Sequence, residues 1–333
     1  MIWIQKIKLS VPSNINFTEV FFLINDKINM DQSQLQLRLL SKVEKELTEL
    51  YETGEIQRGK LLSQQIENKT NSEFYLNNKV YPGYNFGNLS FDTVFCHLNP
   101  GGDPNPSQFK SQFIDPCRDE KEFIENYIEQ SIEYAKERFL VRGEFDNFDY
   151  KQALFLSGFP DNGIEFASIN DSDNGFKNKK NQSKDCFNAL TQKTQIELIP
   201  YQSRKFSSIF SSQKQSDELS QIIKPYFMEV LEIITNKHRK YAFFGSSQYE
   251  QIITSYNKLY PSFIVKKSEK YKFDVGVAKK VYFTMYKLNW QDKSFHVGIA
   301  HSFARQDLPN AFKAMKKYGE LCSEKYLSFK SLN

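Results

Sequence analysis

Nowhere in the 333 residues do eighteen apolar residues run together, so no segment is long enough to cross a membrane as a helix. The opening stretch, MIWIQKIKLSVPSN, has too short an apolar run and no small-residue cleavage site for a signal peptide, and a soluble, cytoplasmic protein is expected. Cysteine is equally scarce. Cys96, Cys117, Cys186 and Cys322 are scattered with no CxxC pair, which argues against a zinc knuckle, an iron–sulfur cluster and a disulfide framework alike. With no metal-ligand spacing and no internal repeat, neither a metal nor another cofactor is expected.

What is present suits a sizeable α/β core: 40% of residues are hydrophobic and 15% aromatic. The formal net charge of +4 hides an asymmetry. From Ser262 to Asn333 there are 14 Lys and Arg against 6 Asp and Glu, a net of +8, which leaves −4 for residues 1–261. The basic end is the better nucleic-acid face, although basic C-terminal halves also occur in proteins that never touch DNA.

Residues 31–68 carry apolar side chains at helical spacing (Leu35, Leu39, Leu40, Val43, Leu47, Leu50), predicting one or two core-packing helices broken near Gly54. Four later segments read as buried strands: Thr93–Leu98, Thr194–Ile199, Tyr241–Phe244 and Phe295–Ala300. Helical stretches lie between them, notably Glu120–Phe139 and Asp217–Asn236. This alternation predicts a three-layer α/β/α fold around a central, mainly parallel four-stranded sheet. It divides the chain into an N-terminal helical extension (1–80) and a main domain (81–333) with long insertions at 101–193 and 255–290. Residues 161–184 read as a polar loop, and Val281–Leu288 can pair with Phe295–Ala300 across a turn at Asn289–Lys293.

In such folds ligands bind beyond the carboxyl ends of the strands, so the strand-end segments carry the most information. The first is TVFCHLNPGGDPNP; the third is YAFFGSSQYEQI; the last is VGIAHSFARQDLPNA. Taken singly, each has an ordinary structural reading, as a tight turn, a Gly-Ser pair or a hydrogen-bonded histidine. Together and in this order, they resemble the three motifs of the uracil-DNA glycosylase superfamily. That resemblance implies a monofunctional DNA glycosylase, acting as a monomer on duplex DNA with the target base flipped into the enzyme. It places Asn99 where the family keeps the Asp or Asn that positions the attacking water. His301 and Arg305 match the histidine and the wedge arginine of the second motif, while Ser302 stands where Pro is usual and Phe303 where Ser is usual. Ser246 and Ser247 match the phosphate-binding glycine–serine loop. Phe109 and Phe113 lie where the family places its stacking aromatic, and Asp103 is either a carboxylate helper or a cap of the following helix.

The chemistry explains the residue types. Breaking an N-glycosidic bond builds positive charge on the sugar and negative charge on the base, so a donor to the base and a held water are needed. His301 as a neutral imidazole would supply the first and Asn99 the second. No lysine in the three motifs is marked as a Schiff-base nucleophile. Uracil-cleaving members commonly carry Asn at the end of the second strand, where this chain has Glu197. An ionised Glu only accepts hydrogen bonds, which favours the exocyclic amino group of cytosine over uracil O4. The substrate expected is a 5-substituted cytosine such as glucosylated hydroxymethylcytosine of phage DNA, as in the superfamily's anti-phage branch. A uracil or mismatch repair glycosylase and a catalytically inactive DNA-binding protein of the same fold are the alternatives.

Overall fold

The computed structural model describes residues 30–70, 74–83, 89, 91–99, 105–127, 140–141, 147–160, 179–203, 209–210, 212–276, 280–303 and 312–332. Asp103, Arg305, residues 1–29 and residues 161–178 lie outside them, while residues 179–184, read from the sequence as the end of a polar loop, are instead the start of a helix, Lys179–Thr191.

The described residues open on two helices, α1 (Met30–Thr53) and α2 (Gln57–Thr70). They are separated where expected: Gly54 adopts φ +75°, a left-handed conformation that ends a helix at little steric cost for glycine alone. Leu35, Leu39, Val43, Leu47 and Leu50 are buried, with Leu40 half-buried. The buried ones share one hydrophobic cluster with residues of the sheet, and the ion pairs Arg38–Glu232 and Lys42–Glu229 tie α1 to the later helix at 224–235.

The strands are β1 (Thr93–His97), β2 (Thr194–Glu197), β3 (Tyr241–Phe244), β4 (Phe263–Phe273), β5 (Val281–Trp290) and β6 (Lys293–Ile299). They form one sheet in the order β2-β1-β3-β6-β5-β4. The pairs β1–β2, β1–β3 and β3–β6 are parallel, and β5 runs antiparallel to both β6 and β4. The sheet is therefore six-stranded and mixed rather than four-stranded. The expected strands make its parallel part, and the segment read as an insertion at 255–290 supplies the two antiparallel strands. The anticipated pairing of β5 with β6 is present, from Thr284↔Ile299 to Trp290↔Lys293. Gln291, in the turn between them, has φ +53°.

Alternation along each strand divides the core in two. Val94, Cys96, Ala242 and Phe244 face one cluster; Phe95, Tyr241, Phe243, Phe283 and Met285 face the other. The first is covered by α1, α2, α5 (Gln213–Ile222), α6 (Lys224–Thr235) and α7 (Gln248–Leu259), the second by α3 (Asn147–Ser157), α4 (Lys179–Thr191) and α8 (Phe312–Ser331). The single helix expected over Asp217–Asn236 is two, α5 and α6, meeting at Ile223 with a proline in the first turn of the second. Pro225 cannot donate an N–H to the preceding turn, but it fits the start of a new helix. Of the helix expected at Glu120–Phe139, residues 120–127 are described, and they are helical.

Candidate active site at the strand ends

β1, β2, β3 and β6 run parallel, so their carboxyl ends form one rim. Asn99 follows β1, Glu197 ends β2, Ser246 and Ser247 follow β3, and His301 follows β6. Sequence separations of up to about two hundred residues thus collapse onto one side of the sheet.

Asn99 is half-buried, and its Nδ2 donates to the Ser203 carbonyl at 2.8 Å. That bond ties the segment after β1 to the segment after β2 and fixes the amide plane. Beyond the strands proper, Leu198 N and Ile199 N donate to the carbonyls of His97 and Leu98.

His301 is clamped from three directions. Ala300 N donates to Phe244 O at 2.9 Å, and His301 N donates to the Tyr318 hydroxyl at 3.2 Å. The same hydroxyl donates to Tyr282 O at 2.7 Å, and Tyr282 N donates to His301 Nε2 at 2.9 Å. A backbone N–H can only donate, so Nε2 carries the lone pair and the proton of the neutral ring sits on Nδ1. Two residues on, Phe303 is buried among Phe95, His97, Phe148 and Phe155, which gives a physical reason for an aromatic in place of serine at that position.

Beside His301 is a shallow depression of about 170 Å³ lined by Ser247, Glu250, Lys270, Tyr282, Thr284 and His301. It is smaller than the roughly 300 Å³ at which small-molecule pockets begin. Glu250 is held inside it by Thr284 Oγ1 at 2.6 Å and Lys270 Nζ at 3.2 Å. Tyr282 is 40% exposed, with the amines of Lys270 and Lys272 each 5.7 Å from its ring centre. Ser247, exposed at the start of α7, makes no side-chain cap bond, whereas the Ser246 hydroxyl is buried against Gln248.

Phe109 and Phe113 lie on a short helical stretch, Pro106–Phe109 continuing as a wider turn over Lys110–Ile114. Phe109 is buried edge-on to Tyr81 at 4.7 Å, and half-buried Phe113 is 5.2 Å from Phe109. Both rings belong to an aromatic cluster that also includes Phe123 and Tyr127. Ser302 is half-buried.

Sequence reasoning missed a buried polar cluster beneath this rim, on the face covered by α3. Lys193 Nζ donates to Gln195 Oε1 at 2.5 Å, and Gln195 Nε2 donates to Glu197 Oε1 at 3.3 Å. In the neighbouring strand His97, aligned with Glu197, lies 2.7 Å through Nε2 from Gln152 Nε2 of α3. Burial dominates the protonation of all three ionisable groups. It pushes the Glu197 carboxyl up to about 8 against the lowering effects of Gln195 and Lys193. It lowers the Lys193 amine to about 7 against the raising effects of Asp149 and Glu197. It holds His97 down at about 3, reinforced by Lys193, so that ring is neutral. Gly245 makes room for it, since a Cβ there would lie 2.6 Å from His97 Nδ1. The alternation in KTQIE carried the signal, but polar residues on one face of a strand usually mark a solvated face.

Among the described residues, no group of three or more His, Cys, Asp or Glu is placed to hold a metal ion, and no helix is long and apolar enough to cross a membrane. Compared with protein-family models, curated proteins and solved structures, the chain matches none.

Proposed function

We propose that this chain is a DNA N-glycosylase that flips a base from duplex DNA and releases it by water attack, with a 5-substituted cytosine as the target. The observation that carries the reading is the convergence of Asn99, Glu197, Ser247 and His301 on the carboxyl ends of four neighbouring parallel strands. The His301 imidazole, whose Nε2 accepts from Tyr282 N, and the anchored Asn99 amide suit the two halves of the chemistry, leaving-group stabilisation and water positioning. The test is incubation with duplexes carrying uracil, a thymine mismatch, hydroxymethylcytosine or glucosylated hydroxymethylcytosine, followed by alkaline cleavage of abasic sites. Strand breaks are expected with the glucosylated substrate; rapid release of uracil with no action on glucosylated DNA would refute the substrate assignment.

One observation favours the uracil reading. With its carboxyl protonated below about pH 8, Glu197 both donates and accepts, and so can pair with uracil O4 and N3–H as well as with cytosine.

The outer strands supply a surface suited to a polyanion. β4 is an edge strand with Lys266, Lys267, Lys270 and Lys272 exposed, and the last two flank Tyr282 beside His301. Exposed lysines also keep a sheet edge from pairing with another chain, so charge alone does not decide their role. The salt dependence of DNA binding does: Lys272→Ala is expected to reduce the slope of log K against log salt by about 1, the signature of one lost phosphate contact. An unchanged slope would remove β4 from the DNA face.

A further inference from the structure

Ser247-Gln-Tyr-Glu250, at the start of α7, has the pattern of a capping box, in which serine and glutamate side chains each bond the other's backbone N–H. Neither half forms. Ser247 has helical dihedrals and makes no side-chain cap bond, and the Glu250 carboxyl is turned onto Thr284 Oγ1 and Lys270 Nζ. Forgoing such a cap costs about 0.5–2 kcal/mol. Thr284 is 5% exposed, so a buried hydroxyl is committed to holding this one carboxylate. Ser247 and Glu250 both line the depression of about 170 Å³ beside His301.

Strand pairing sets the rest of the lining. Tyr282 and Thr284, two residues apart on β5, face the same side, and their partners on β4 are Lys272 and Lys270. The Tyr282 backbone is held at its N–H by His301 and at its carbonyl by Tyr318, so the exposed ring is a firm platform flanked by the two amines. Charge in the lining cancels: Glu250 meets Lys270, and His301, whose Nε2 accepts from a backbone N–H, is neutral. An anion would face the carboxylate, and a cation would face Lys270 with Lys272 beyond it. An apolar ligand would strip water from both charges.

A neutral ring with apolar faces and a hydroxylated edge matches all of these groups. The C–H face of a pyranose packs on the electron-rich face of Tyr282. Its hydroxyls can donate to Glu250 Oε2, which accepts from Lys270 at 3.2 Å and keeps lone pairs for more, and can accept from Ser247 and Lys270. The volume is that of about six waters, room for one such ring and too little for a nucleotide. We propose that this depression is a saccharide-binding site, with Tyr282 as its stacking platform and Glu250 as the acceptor for ring hydroxyls. It is separate from Glu197, since β2 and β6 lie three strand spacings apart, about 14 Å.

Methyl glycosides of glucose, galactose and mannose, titrated into the full chain by saturation-transfer NMR and calorimetry, test the site. At least one is expected to bind in the millimolar range, without displacement by inorganic phosphate or cytidine. Glu250→Gln and Tyr282→Ala are each expected to weaken binding about ten-fold, while Tyr282→Phe, which keeps the ring, binds as wild type. No binding of any glycoside would overturn the proposal, as would displacement by phosphate or cytidine, or undiminished binding by Glu250→Gln and Tyr282→Ala alike. Glu250→Gln and Tyr282→Phe keep the test decisive even if Tyr282→Ala does not fold. Hydroxymethylcytosine duplexes with and without a glucosyl group identify the carrier. Displacement of the glycoside by the glucosylated duplex alone upholds the site with DNA as carrier, and displacement by neither upholds it for a saccharide that is free or borne elsewhere. Equal displacement by both would show that the DNA backbone covers the depression, and would overturn the proposal. Glycoside binding without cleavage of any duplex would uphold the site and refute the glycosylase reading; cleavage without glycoside binding would do the reverse.

Discussion

On the proposed glycosylase chemistry, His301→Ala and Asn99→Ala are each expected to slow base release by about 10² or more in single-turnover assays, while DNA affinity changes little. The two losses have different origins. Removing His301 takes away a donor whose proton is fixed on Nδ1 by the bond from Tyr282 N, so charge on the departing base would have no preorganised partner. Removing Asn99 breaks the bond to the Ser203 carbonyl and, on the proposed chemistry, takes away the group that positions the attacking water. Asn is too weak a base to take the proton at neutral pH, so its contribution is positional. His301→Ala should accordingly lose most on substrates with poor leaving groups, whereas the Asn99→Ala deficit should be nearly independent of the base. Wild-type cleavage by Asn99→Ala would show that the segment after β1 does not hold the water.

The largest effect on stability is expected from Gly319→Ala. α3 and α8 cross so closely that a Cβ on Gly319 would lie 1.9 Å from the Phe155 carbonyl oxygen and 2.8 Å from its carbon. Gly158, just past α3, meets α8 in the same way, 2.2 Å from Lys316 O. Backbone atoms of two packed helices cannot swing aside as a flexible side chain can, so the helices must separate. The buried aromatic contact between Phe155 and Tyr318, 5.2 Å apart, would be lost with them. A loss of about 3 kcal/mol or more is expected in urea unfolding, at the top of the range for overpacked cores. Gly54→Ala is the control: its φ of +75° carries strain but nothing lies within 4 Å, and a cost nearer 1 kcal/mol is expected. Equal effects of the two substitutions would mean that the helix crossing relaxes freely.

How far the sequence revealed this architecture depended on how each element is buried. β1 and β3 are covered on both faces, and their runs TVFCH and YAFF identify them directly. β4 did not declare itself, because FIVKKSEKYKF is mostly exposed and lysine-rich; its pairing with β5 makes it a strand, a long-range interaction that no local window contains. The rim residues were legible because turn chemistry after a buried strand is a local pattern. The His97–Gln152 contact was not, since it joins residues of different elements and depends on how α3 lies over the sheet. Phe109 illustrates the opposite limit. Its position in the chain singled it out, but only the packing reveals Tyr81 against its ring.

The segment carrying His301 is staked at both ends: Ala300 is hydrogen-bonded to β3, and Phe303 is driven like a piton into the core. A loop held so tightly does not reach out to a distant reactant. On the proposed chemistry the histidine is a fixed landmark, and the nucleotide makes the journey to it. Reaching it takes unstacking and rotation of one nucleotide, and the barrier set by that motion depends on how firmly the base is paired. A mispaired or bulged target should therefore be processed faster than a paired one.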